Sequence, residues 1–407
     1  MRVLLTTRGS AGHVLPLAPF GHAARRAGHD VLVVAQRQHE ANVARTGLPH
    51  APVDEPDAEE WRRRLPEFMA LSFEQANVAM IAEFFARMDT TAALPGLRAV
   101  VESWRPEVIV RESWEYASTL VADLYDIPVV RVALGLAELD AWTNDLAAPA
   151  LDALREELGL AADPAARRLH DTPLLTMMPG ALEPGATAGG PVRRFRQAEP
   201  VLTVPESAPL PTWWPGNDGP LVYLSFGSVA GLPHMPYFPA LYRAAIEALA
   251  ELPLRLLVTT GDIADPAQLR PLPANVHVAR WVPQEAVLPH AALAIVHGGY
   301  GSTLGALAHG VPAVVLPLFS IDQWANAEAV QRAGAGVALG DDRATRGVLG
   351  LPAPSVLAAL APTVQDLLDD PAPRRRAEAI AAAMAALPPV DDAVEVLARA
   401  AGVAGRR

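Results

Sequence analysis

The chain has 407 residues, is 51% hydrophobic, and carries 33 basic against 45 acidic side chains for a formal net charge of −12. That length divides naturally into two domains of roughly 200 residues, and the acidic balance excludes a surface that coats nucleic acid or anionic membrane, both of which need clustered positive charge. With no cysteine in the chain, disulfides, thiolate metal sites and a cysteine nucleophile are excluded too.

In chain order, residues 3–7 predict a first buried strand, and the polar and glycine residues that follow at once distinguish it from a signal peptide. A helix is predicted over 13–27, a second strand over 30–35, and Val- and Ile-rich strands over 107–110 and 128–132. Strands alternating with helices predict a parallel sheet covered on both faces. Residues 200–220 are proline-rich, contain Trp213-Trp214-Pro215-Gly216, and read as a linker. The pattern then restarts with Leu221-Val222-Tyr223-Leu224-Ser225-Phe226-Gly227-Ser228, a strand ending in a Gly/Ser loop. A helix near 238–250 follows, then strands over 254–259, 276–279, 293–296 and 311–316. Residues 371–407 read as two Ala-rich helical stretches broken at Pro388-Pro389.

The expected organisation is α/β: a Rossmann-like domain at 1–205, a linker at 206–219, a second Rossmann-like domain at 220–385, and a helical tail at 386–407 packing back on the first domain. Ligands of such sheets bind beyond the carboxyl ends of the strands. No apolar run approaches the ~20 residues that span a bilayer, so a cytoplasmic protein without a membrane span is expected.

Chemistry concentrates in residues 281–323. The stretch opens with Trp281-Val282-Pro283-Gln284, crosses a short apolar strand to His297-Gly298-Gly299-Tyr300-Gly301-Ser302-Thr303, and ends, after a second strand, at Asp322-Gln323. Ser302-Thr303 open a predicted helix, whose unpaired N–H groups and partial positive charge favour an anionic phosphate. The glycines let a ligand approach the backbone closely. An aromatic at one end and Asp-Gln at the other offer contacts for a base and a sugar. The composite is that of a nucleotide-sugar site.

This segment resembles the nucleotide-sugar signature of the family 1 glycosyltransferases of GT-B architecture, which include actinobacterial enzymes that decorate antibiotics. The resemblance extends in outline over the whole chain, through the start Gly9-Ser10-Ala11-Gly12-His13, the proline-rich linker and the Ser225–Ser228 loop. It implies two facing Rossmann-like domains with an interdomain cleft and an acceptor side in the N-terminal domain. It also implies that Trp281 stacks on the pyrimidine, that Val282 binds the base through its backbone, and that Gln284 lies near base and ribose. His297, Gly299, Gly301, Ser302 and Thr303 would hold the diphosphate, with Ser228 reaching it from a neighbouring loop, and Asp322 and Gln323 would bind sugar hydroxyls. Many UDP-glucose-using members carry a glutamate three residues after the signature serine, where it holds both ribose hydroxyls; here that position is Gly305. The departure favours a dTDP-sugar over a UDP-sugar as cosubstrate.

By the same resemblance His13 is the general base. Imidazole suits the task because its pKa of about 6.5 lies near working pH, and such catalysis contributes roughly 10²–10⁴-fold. A carboxylate that fixes the tautomer improves such a base. Glu112, after Arg105-Pro106-Glu107-Val108-Ile109-Val110-Arg111, stands where the family places an aspartate, with Glu115 as a nearby competitor. No compact metal-ligand pattern such as HExxH is present, and no metal or other cofactor is expected: His297 and the helix dipole compensate the charge of the leaving diphosphate.

The acceptor side is read from Ser10, from Phe68, Phe73, Met80 and Phe84 within a Met- and Phe-rich stripe that equally suits a core, and from Trp142. The expected activity is inverting, metal-independent transfer of a sugar from a dTDP- or UDP-sugar to a hydroxyl of an apolar natural-product aglycone, by a monomer or homodimer. A sugar-nucleotide epimerase and a noncatalytic sugar-nucleotide-binding partner protein are the alternatives. A dehydrogenase is disfavoured because the first strand–helix turn lacks GxGxxG.

Overall fold

The structure, a computed structural model, describes residues 1–185, 191–197, 218–343 and 346–402. Most of the predicted linker, including Trp213-Trp214-Pro215-Gly216, lies outside the described residues. The chain forms two compact units, one of Met1–Ala70, Gln75–Val204 and Leu387–Arg407, the other of Leu71–Glu74 and Pro205–Ala386.

The first unit holds seven parallel strands: β1 (Arg2–Thr6), β2 (Asp30–Gln36), β3 (His50–Val53), β4 (Val108–Glu112), β5 (Val129–Val132), β6 (Leu174–Thr176) and β7 (Val192–Arg194). Their order in the sheet is β3-β2-β1-β4-β5-β6-β7. The central strands β1 and β4 are buried almost throughout. Their near-continuous apolar runs are what a sheet covered on both faces demands. The strands β3, β6 and β7 were not predicted: His-Ala-Pro-Val and Val-Arg-Arg are not apolar runs, and β6 has only three residues.

The second unit holds six parallel strands: β8 (Leu221–Ser225), β9 (Arg255–Thr259), β10 (Val276–Ala279), β11 (Leu293–Val296), β12 (Ala313–Val315) and β13 (Gly336–Ala338). They are ordered β10-β9-β8-β11-β12-β13. Both sheets therefore reverse their strand order at the middle, between β1 and β4 in one and between β8 and β11 in the other. At such a reversal the loops leaving the two central strands diverge and open a crevice at the carboxyl edge. Among the described residues, no helix is long and apolar enough to cross a membrane.

Two segments belong by their contacts to the unit remote from them in sequence. The tail, as the helix Ala393–Ala400 and the turn before it, is joined to the first unit: Arg26 Nε donates to Asp391 at 2.8 Å, and Arg196 N–H donates to the Pro388 carbonyl at 2.8 Å. Leu71–Glu74, counted above in the N-terminal domain, is part of the second unit. Its Phe73 is fully buried, with its ring 4.4 Å from that of Trp324 and its N–H on the Arg346 carbonyl at 3.3 Å. Buried Arg346 extends this knot by donating to the Leu318 carbonyl at 2.7 Å and lying 5.3 Å from the centre of the Trp324 ring.

Phe73 is accordingly a core residue and not an acceptor contact. Replacing a fully buried phenylalanine by alanine costs about 3–5 kcal/mol. Phe73→Ala is expected to lower the thermal midpoint of the second unit by several degrees, read by calorimetry. An unchanged midpoint would contradict the buried plug.

Candidate active site

In the first unit the site is built by register. Thr6 pairs with Arg111 across β1 and β4, so Arg8, just beyond β1, and Glu112, the last residue of β4, become neighbours. The helix Ala11–Arg26 begins directly afterwards, with Ser10 at its N-cap and its carbonyl accepting the His13 N–H at 2.9 Å. His13 is thereby set against Glu112, with Nδ1 2.9 Å from Oε1. Glu112 is fully buried and also accepts the backbone N–H groups of Trp114 at 2.6 Å and Arg8 at 3.2 Å. Burial alone would push this carboxyl up, but the charge and hydrogen bond of His13 and the two backbone donors together hold it below the ordinary carboxylate range.

An ionised carboxylate can only accept, so the proton between the pair sits on Nδ1 of His13. Nε2 is then the basic nitrogen, on a side chain still 12% exposed. The Trp114 ring meets the imidazole edge-on at 5.5 Å. Glu115 does not compete for His13. It is buried against Ser118, whose N–H it accepts at 3.1 Å, and burial pushes its carboxyl up.

Arg111 and Arg8 complete this half, and neither was anticipated. The buried Arg111 donates through Nη1 to the carbonyls of Glu112, Ser113 and Glu115, each at 2.9 Å. It thus ties down the loop that carries Glu112. Arg8 pairs with Asp89, the last residue of a π-helix (Met80–Asp89), and lies 3.7 Å from the centre of the Phe85 ring. The i→i+5 winding of that helix is rare and recurs at functional sites; periodicity of 3.6 could not reveal it. A cavity lined by Arg8, Phe85, Asp89 and Trp114 shares Trp114 with the His13 contact, and among the described residues Asp89 Oδ1 makes no hydrogen bond.

Of the residues predicted for the acceptor, Phe84 and Phe68 are half-buried and both pack on Trp61, at 4.6 and 5.3 Å. Met80 is half-buried against the hydrophobic core of the unit, and Trp142 is exposed.

In the second unit, register again does the placing. Ser225 pairs with Val296, so the loops bearing Ser228 and His297 leave adjacent strands. Gly299 caps the helix Tyr300–Ala308, and Gly298 takes a left-handed φ of +88°. The loop is pinned by Asn326, which donates to the Gly298 carbonyl at 2.8 Å. A Cβ at Gly301 would meet nothing within 4 Å, so this glycine leaves open space before the helix start. Ser228 is exposed, Ser302 and Thr303 are buried, and among the described residues Thr303 Oγ1 makes no hydrogen bond. Trp281 is exposed, and Val282 and Gln284 are half-buried beside it in sequence.

Two expectations change. His297 is not a source of positive charge. Its ring packs so tightly on Gly227 and Gly299 that a Cβ on either would fall within 2.5 Å of it, and burial pushes its pKa down to about 4. What it can offer a ligand is a neutral hydrogen bond. Gln323, expected as a sugar ligand, is buried with Oε1 accepting the N–H groups of Leu318 at 2.8 Å and Phe319 at 3.1 Å. What it can offer a ligand is its amide NH2. Asp322 is half-buried and accepts the Ser320 hydroxyl.

Residues 22–181 and 243–399 match the N- and C-terminal domains described as erythromycin biosynthesis protein CIII-like. The chain is 32% identical to an L-demethylnoviosyl transferase of Streptomyces niveus, covering 84% of this chain and 86% of that one. It is 30% identical to an elloramycin glycosyltransferase of Streptomyces olivaceus, covering 92% and 95%. A Streptomyces sp. SF2575 glycosyltransferase solved with thymidine diphosphate superimposes with a TM-score of 0.71 at 27% identity, over 98% of this chain and 99% of that one. Two parallel-sheet Rossmann-like domains with these likenesses define a glycosyltransferase of GT-B architecture. The chain belongs to the erythromycin biosynthesis protein CIII-like family of natural-product glycosyltransferases.

The state of His297 has a stability consequence of definite sign. Its folded pKa of about 4 lies below the ordinary histidine value of about 6.5, so the unfolded chain takes up the proton first. The stability of the neutral ring is complete above about pH 6.5 and is lost as pH falls toward 4. The drop in thermal midpoint between pH 7 and pH 5 is expected to be smaller in His297→Gln than in the unaltered protein. Equal drops would show a ring that titrates normally.

Proposed function

We propose that this glycosyltransferase moves a deoxysugar from a dTDP-sugar to a hydroxyl of an apolar natural-product aglycone, with inversion at the anomeric carbon and without a metal. The observation that carries the reading is the His13–Glu112 pair at 2.9 Å. His13 Nε2 removes the proton of the acceptor hydroxyl as its oxygen attacks the anomeric carbon. Glu112 keeps the proton on Nδ1 and stabilises the imidazolium as it forms. The bond from the anomeric carbon to the diphosphate oxygen breaks in the same displacement, so attack and departure occur on opposite faces and the configuration inverts.

On the donor side, the diphosphate is received by the start of the Tyr300–Ala308 helix, where the helix dipole carries a partial positive charge. The neutral His297 adds a hydrogen bond, and Trp281 offers a stacking surface for the base. The thymidine reading is supported by Gly305 and by the solved relative bound to thymidine diphosphate. A natural-product acceptor is supported by the relatives' activities.

His13→Ala is expected to lower kcat about 10²–10⁴-fold with the donor KM little changed, in a protein whose circular dichroism is unaltered. Glu112→Gln should lower kcat in the same direction by less, since the amide can still accept from Nδ1 but brings no charge. Near-normal turnover by His13→Ala would remove the base assignment. Excess EDTA is expected to leave the rate within about twofold; loss of activity restored by a divalent cation would refute the metal-independent mechanism.

A further inference from the structure

Two guanidinium groups lie fully buried in the sheet of the first unit, those of Arg111 and Arg131, which are register partners across β4 and β5. Arg131 is paired with Asp140, whereas Arg111 makes no ion pair among the described residues. A buried charge without a counter-ion is among the costliest groups a fold can hold, so its presence calls for a reason beyond packing. Arg111 Nη1 gathers the carbonyls of Glu112, Ser113 and Glu115, each at 2.9 Å. A peptide unit is planar and trans, so its C=O and its N–H point in opposite directions. The carbonyl of Ser113 and the N–H of Trp114 belong to one such unit. With the carbonyl drawn to Arg111, the N–H is turned the other way and meets Glu112 Oε2 at 2.6 Å. The other oxygen of Glu112 takes the Arg8 N–H at 3.2 Å and His13 Nδ1 at 2.9 Å. The shortest bond to the carboxylate is therefore made by the peptide that has a cation at its far end. Successive side chains of a strand point to opposite faces, so Arg111 and Glu112, adjacent in β4, do not face each other. The loop that turns over the strand end connects them.

We infer that Arg111 is a positioning residue for the catalytic base: by holding the Ser113 carbonyl it aims and polarises the Trp114 N–H that keeps Glu112 charged beside His13. This role rests on the base proposed above. A cation on the carbonyl draws electron density along the peptide and strengthens the bond made by its N–H. The parts act in the order guanidinium, peptide, carboxylate, imidazole, and no proton crosses the peptide. Without Arg111 the three carbonyls lose their common donor, the peptide is free to turn, and the carboxylate loses its shortest hydrogen bond. A carboxylate with fewer donors is a stronger base, so the His13–Glu112 pair then holds its proton to higher pH. The other titratable groups around the pair do not mask this. Arg8 and Asp89 pair with each other. His39 is pushed down to about 4 by burial and by the charges of Arg8 and His13. Burial pushes the Glu115 carboxyl up and the charge of Arg111 opposes this, so losing Arg111 only keeps Glu115 uncharged.

The experiment titrates the full-length protein, labelled with nitrogen-15 at histidine, by NMR in the absence of any substrate. The His13 signals are assigned by their loss in His13→Gln, and they report both the tautomer of the ring and the midpoint of the pair. The unaltered protein is expected to show the Nδ1–H form. In Arg111→Met, which fills the site without a donor, the pair is expected to hold its proton about tenfold more tightly, with circular dichroism unaltered. Arg111→Lys, whose ammonium has a donor for each of the three carbonyls, should bring the proton affinity back to within about twofold of the unaltered protein. A residue that only stabilised the loop would change the thermal midpoint and leave this titration where it was. A titration midpoint unchanged or lowered in folded Arg111→Met overturns the inference while leaving the base assignment standing. A shift as large in Arg111→Lys as in Arg111→Met also overturns it. Absence of the Nδ1–H tautomer from the unaltered protein would remove the base orientation and this role with it. Should Arg111→Met fail to fold, Arg111→Gln, which keeps a donor and loses the charge, carries the test with the same expected sign.

Discussion

Everything chemical in this protein depends on one constraint of parallel sheets. Where the strand order reverses, the loops leaving the two central strands turn to opposite sides and leave a crevice at the carboxyl edge. The chain meets this constraint twice, between β1 and β4 and between β8 and β11. In each case the pairing of the central strands fixes which loop residues become neighbours. Thr6 opposite Arg111 brings His13 to Glu112, and Ser225 opposite Val296 brings the Gly227 loop to His297. Residues about a hundred positions apart in one unit and seventy in the other meet because of hydrogen bonds made several ångströms away.

The two crevices use burial for opposite ends. Glu112 has no contact with solvent, yet it stays charged because an imidazole and two backbone N–H groups converge on its oxygens. Arg111, itself buried, bonds three carbonyls of the same loop and so holds those donors in place. Among the described residues His297 has no carboxylate partner, and it sits against two glycines, so burial leaves it neutral. One histidine thus faces a buried carboxylate, whereas burial keeps the other neutral. The difference comes from what surrounds each ring and not from the residue type.

Much of this was legible in the sequence, and what was missed has common causes. The strands over 276–279 and 293–296 were placed to the residue, because a fully buried parallel strand is a short apolar run with turn residues at both ends. The Gly-rich turn after His297 was legible for a similar reason, since glycine and hydroxyl residues at a strand–helix junction announce their local conformation. Phe73 misled because a buried phenylalanine looks the same in sequence whichever core receives it, and here it is the core of the second unit. The π-helix was illegible because its i→i+5 winding does not show in the 3.6-residue repeat by which helices are read. Gln323 was expected as a sugar ligand, but nothing in the sequence tells that its oxygen closes the Leu318–Phe319 turn.

The sequence by itself determined the class of the protein: two alternating strand–helix domains, a nucleotide-sugar signature, and a histidine at the first strand–helix junction. These are local patterns, encoded by residues adjacent in the chain. The tertiary structure alone decided that Glu112 and not Glu115 orients His13, that His297 is neutral, and that Gln284 occupies the space left open at Gly305. Each of these is a matter of a few ångströms between distant segments. The physical reason is that protonation and partner choice are set by desolvation and by the direction of hydrogen bonds, and both exist only once the sheets have brought those segments together.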